Sequence, residues 1–164
     1  MKLNRLTRGA LLTAVALTIF LVEMMIPPIV PVPGVKLGLA NIITLIAMML
    51  IGPVDTLLIL LARILLGGMF SGQIMSILYS LAGGLLCYLT MLVLRRHITL
   101  RQIWAMSIAG AIAHNIGQIG VAILVTGTKE LILYLPVLMV SGILAGLFTG
   151  LAAQAAAGKL KGKL

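Results

Sequence analysis

Acidic side chains are almost missing from this chain: Glu23, Asp55 and Glu130 are the three in 164 residues. With Asp55 the lone aspartate, the paired carboxylates that hold magnesium for diphosphate chemistry are excluded. Cysteine occurs once, at Cys87 inside an apolar run, so an internal disulfide is impossible and a packed thiol is expected. A phosphate-binding loop is also missing, because Gly158-Lys159 has neither the upstream glycine nor the following Ser/Thr, so ATP hydrolysis within this chain is excluded. Charge of either sign is scarce, at 9% of residues, against about a quarter in soluble domains. So few charges cannot cover a water-facing surface, which rules out a soluble enzyme and disorder alike. Strand alternation is absent, and the apolar runs are too long for a barrel.

Apolar residues make up 62% of the chain, with mean hydropathy +1.24. A membrane helix needs ~20 apolar residues to cross ~30 Å of hydrocarbon, so six would use roughly 120 residues. Hydropathy and breakers predict one all-α transmembrane domain over residues 1–164, with spans at about 8–26, 37–51, 54–70, 74–94, 103–125 and 131–157. Lys2 to Val22 imitates a signal peptide, but no small-residue cleavage site follows, so it reads as a retained first helix. Pro27, Pro28, Pro31 and Pro33 predict an extended loop from Pro27 to Lys36, too poor in backbone donors for a helix. Gly52-Pro53 and Asp55 are expected to cap the third helix.

The net charge of +9 is scattered in small groups, a topology signal and not a nucleic-acid face. A cytoplasmic N-terminus places nine basic residues inside (Lys2, Arg5, Arg8, Arg95, Arg96, Arg101, Lys159, Lys161, Lys163) and only Lys36 and Lys129 outside. Both termini are therefore expected in the cytoplasm.

Polar residues within the spans need a reason to be there. Arg63 lies near mid-span, where an arginine costs ~2.5–3.5 kcal/mol even on lenient scales. His114 falls at a similar depth in the run Gly110-Ala-Ile-Ala-His114-Asn115-Ile-Gly117-Gln118, with Gln118 one turn away on the same face. Glu23, Lys36, Asn41, Gln73, Ser76, Tyr79 and Ser80 join them in the outer half, while the inner halves read as apolar. The functional reading is an outward polar pocket under the proline-rich loop; the structural one is an internal network with Arg63 paired to Glu23. Methionines near the lone His114 read as gap-fillers, so neither a metal site nor a cofactor is expected. Gly142, Gly146 and Gly150 form a small-residue stripe suited to helix packing. Glu23 lies 180° around the first helix from Ala14 and 140° from Ala10. An inward Glu23 therefore turns the Ala10/Ala14 face outward as a candidate docking surface.

These residues carry a resemblance. Pro31-Val-Pro33-Gly34-Val-Lys36-Leu-Gly38-Leu-Ala40-Asn41, Arg63, Tyr79-Ser80-Leu-Ala82-Gly83 and Ala113-His114-Asn115-Ile-Gly117-Gln118 resemble the bacterial heptaprenyl diphosphate synthase component I family, also called the Gx transporter family. That family is similar to the substrate-binding S components of energy-coupling factor (ECF) transporters. The resemblance implies a six-helix protein of the bacterial cell membrane that captures a small polar or anionic micronutrient or precursor from outside. It would dock through Ala10 and Ala14 on a membrane coupling subunit driven by cytoplasmic ATPases, with no catalysis of its own. Glu23, Lys36, Asn41, Arg63, Tyr79, His114, Asn115 and Gln118 are the residues expected to bind substrate. The alternative is a non-catalytic membrane accessory of heptaprenyl diphosphate synthase in isoprenoid quinone synthesis.

Overall fold

The structure, a computed structural model, describes residues 2–27, 38–72 and 74–160. It is all-α, with six helices among the described residues: α1 (Lys2–Glu23), α2 (Asn41–Leu50), α3 (Pro53–Ser71), α4 (Ile74–Leu94), α5 (Ile103–Thr126) and α6 (Leu135–Leu160). Short 3-10 helices at Leu100–Gln102 and Lys129–Tyr134 lead into α5 and α6. Five of the six are long and apolar enough to cross a membrane, which makes this a multi-pass membrane protein.

The exception is α2. Its ten residues rise ~15 Å, half of a ~30 Å hydrocarbon core, where the sequence predicts a span over 37–51. Two features shorten it. Gly38 sits at φ +79°, a left-handed conformation that side chains rarely tolerate, and starts a tight turn. Asn41 N–H, Ile42 N–H and Ile43 N–H then donate to the carbonyls three residues back. At the other end, Gly52-Pro53 stops the helix and starts α3, with Pro53 in the first turn, where a missing N–H costs nothing. The first helix begins at Lys2, six residues before the expected span, and ends at Glu23. In α6 the α-helix begins at Leu135, after residues 129–134 wind as a 3-10 helix.

Asp55 does not act as the side-chain cap of α3. Its carboxylate pairs with Arg5 Nη2 at 2.7 Å and also accepts from Arg5 Nε, tying the start of α1 to the start of α3. Tyr88 O–H donates to the Pro53 carbonyl at 3.2 Å and draws α4 to the same level. These ties define a proximal end, shared with the start of α5 and the end of α6. The opposite, distal end holds the end of α1.

Small residues set the helix spacing. A methyl on Gly146 would lie 2.9 Å from the Ile108 Cα, and one on Gly150 2.5 Å from the Trp104 Cα. The glycine stripe of α6 is thus the seam with α5, as backbone-to-backbone packing in lipid requires. Gly117 meets the Ala82 carbonyl across the α4–α5 seam in the same way. The main core packs Leu45 and Met48 of α2 with Leu60, Ile64, Met91, Ile103 and Met106, while a second cluster holds Tyr79, Ile119, Ala122, Leu131 and Leu138. The proximal half is not wholly apolar, in contrast to expectation. Ser107 and Thr149 form a buried hydroxyl pair at 3.0 Å across the α5–α6 seam. On α1 the buried residues are Ala16, Phe20 and Glu23, and Ala10 and Ala14 are both exposed.

Candidate functional site

Four helices bring charged and polar side chains together where α2 begins. Glu23, at the last turn of α1, is 4% exposed and accepts a hydrogen bond from the Gly38 backbone N–H. The Leu39 and Ala40 amides face the same carboxylate. These N–H groups precede α2 and have no partner within it, so Glu23 supplies from another helix the anion that a helix start favours. This helix start lies inside the bundle because α2 is short, as in broken membrane helices that build binding sites at depth.

Arg63, ten residues into α3, is 3% exposed. Its Nη2 donates to Asn41 Oδ1 at 3.3 Å, and its guanidinium lies 5.7 Å from the Phe20 ring centroid, within cation–π range. Glu23, Cys87 and His114 are near enough to feel its charge, but Arg63 and Glu23 do not close to an ion pair. The expected internal pairing is thus replaced by two separate duties. Glu23 holds the turn before α2, and Arg63 holds Asn41 at its first residue.

His114 reaches in from α5 and is 2% exposed. Its ring lies between two glycines. A methyl on Gly38 would sit 2.9 Å from its Cδ2, and one on Gly83 2.7 Å from its Nδ1. The Gly83 backbone lies against the ring, and among the described residues neither ring nitrogen closes a full hydrogen bond. Buried polar groups are nearly always hydrogen-bonded, so an imidazole left open where three helices meet is the least satisfied group of this cluster.

The structure therefore unites Glu23, Asn41, Arg63 and His114, and it separates others. Asn115 turns away to α6, where Nδ2 donates to the Leu138 carbonyl at 2.6 Å and packs on Gly142. Its Oδ1 is unpartnered, as is Gln154 Oε1 on α6. Tyr79 is buried in the distal apolar cluster. Gln118 is buried one turn distal to His114, and Ser76 and Ser80 are buried on α4. Lys36 and Gln73 lie outside the described residues, as does most of the proline-rich loop. Sequence reasoning missed the roles of Phe20, Gly38 and Gly83. Both glycines stood in the motifs quoted above, but the imidazole they flank comes from a distant helix. A small cleft runs from Gly38 and Asn41 between α2, α5 and α6 down to Ser107 and Thr149.

Fold and site together define a polytopic helical membrane protein with a buried polar centre at an interrupted helix. The heptaprenyl diphosphate synthase component I family matches residues 12–156, and the chain belongs to that family. No curated protein and no solved structure matches it.

Proposed function

We propose that this protein is the membrane-embedded substrate-binding subunit of an ECF-type transporter in the bacterial cell membrane. In this reading it captures a small polar or anionic micronutrient or precursor from outside and hands it inward through a coupling subunit and cytoplasmic ATPases. The observation that carries the reading is His114, buried with both nitrogens unpartnered beside a buried Arg63 at the start of a half-length helix. Each orphan costs ~1–3 kcal/mol, and His114 carries two on one ring, where Asn115 and Gln154 carry one each. The exposed Ala10/Ala14 face of α1 supports the docking half of the reading, since small residues let another helix approach closely. Without nucleotide-binding residues of its own, the chain borrows its energy. Alternating access then consists of ligand entry at the distal end, closure over the site, and reorientation on the ATP-driven partner.

Mass spectrometry of small molecules released by denaturing the detergent-purified protein tests this, with Arg63→Ala alongside. The expected result is a near-stoichiometric compound in the wild type that the variant lacks. Release of nothing from either protein would overturn the reading. The family description favours a second one, a non-catalytic membrane accessory of a heptaprenyl diphosphate synthase. A soluble synthase subunit co-purifying in place of ATPases distinguishes it.

A further inference from the structure

We infer that the site takes a compact monocarboxylate bearing a neutral hydroxyl or amide, and that it refuses phosphate esters and diphosphates. The inference rests on the binding reading above and names its ligand class.

Charge accounting carries it. Among the described residues of the site there is one cation, Arg63, and one anion, Glu23. Glu23 is committed: its carboxylate faces the three amides of residues 38–40 at the positive end of α2. Arg63 is not. A guanidinium has five N–H donors in a planar fork, and among the described residues this one makes a single long hydrogen bond, to Asn41. With one face turned to Phe20, its remaining donors match a carboxylate through two parallel bonds. A phosphate ester, near −2 at neutral pH, would place its second charge beside Glu23 in a desolvated site with nothing among the described residues to balance it. A cationic ligand would meet Arg63 uncovered and find Glu23 already occupied.

His114 sets the other end of the ligand. A neutral imidazole has one donor and one acceptor nitrogen, and both are unpartnered here. A hydroxyl or an amide answers both roles, whereas a hydrocarbon answers neither. The glycines on either side bring backbone against the ring, so the ligand's neutral group must be small.

The test identifies what the full-length protein, purified in detergent, carries from its host, and follows its loss on dilution by mass spectrometry. The expected compound is a monocarboxylate with a hydroxyl or amide. His114→Ala should speed its loss on the order of tenfold, the worth of one to two hydrogen bonds. Arg63→Lys, which keeps the charge but not the fork, should also lose it faster, and Glu23→Gln should slow the loss by removing a neighbouring like charge. Variants are compared only where they elute as the wild type does in size exclusion, and Arg63→Lys carries the test if His114→Ala fails to fold. A phosphate ester, a diphosphate or a cation as the bound compound overturns the inference while leaving the binding reading intact. So does loss of the compound in Glu23→Gln. No compound from any preparation removes both.

Discussion

Two buried side chains at similar depth, Arg63 and His114, are treated in opposite ways by their surroundings. Arg63 has an amide oxygen and an aromatic face; His114 closes no full hydrogen bond among the described residues. Arg63→Ala is expected to abolish ligand retention and His114→Ala to speed ligand loss on the order of tenfold, both while expression persists, and unchanged retention would remove the residue from the site. Gly83→Ala places a methyl 2.7 Å from the imidazole and 2.9 Å from the His114 carbonyl, so α4 and α5 must part. A loss of about 1–3 kcal/mol is expected, read as a lower thermal midpoint. Asn115→Ala should cost roughly 1 kcal/mol through its bond to α6, with ligand retention spared. Glu23, Arg63 and His114 were readable in the sequence because polar groups in apolar runs are expensive and need a reason. The role of Asn115 was not. A helical wheel gives its 100° offset from His114 but cannot say that α6 waits there.

At the scale of elements, the glycine seams were readable as stripes and the partner of each stripe was not. Gly142, Gly146 and Gly150 face α5, and the contrast with exposed glycines is testable. Gly150→Ala should destabilise by about 1–3 kcal/mol, since a backbone atom blocks the new methyl. Gly120→Ala meets open space and should gain roughly 0.5–1 kcal/mol of helix propensity. Equal effects of the two, measured by thermal unfolding in one detergent, would show that the seam is looser than its geometry. The second span already reads as short for a full crossing, but hydropathy shows apolar residues 37–51 and not the left-handed Gly38 that delays the helix to Asn41. That interruption puts a helix start, and therefore the site, inside the bundle.

For the whole molecule, basic residues predict the orientation and the described helices supply the ends to label. Cys87 is fully buried, so single-cysteine variants report on a quiet background. Met25→Cys should react with a membrane-impermeant maleimide in intact cells, and Lys159→Cys only after permeabilisation. The reverse pattern would invert the proposed topology. Ala14→Leu should block association with a coupling subunit while leaving the bound compound in place. Continued co-purification with that subunit would move the docking surface elsewhere.

The neighbours of Arg63 also follow an order in time. Phe20, Glu23 and Asn41 all precede it in the chain, so each has left the ribosome before the arginine does. The most expensive side chain to place in lipid therefore emerges after the aromatic face and the amide oxygen that it meets in the fold. His114 emerges two helices later, beside a guanidinium already held and a carboxylate already occupied. The order of synthesis therefore releases the groups that surround Arg63 before the arginine itself, and the imidazole only after all of them.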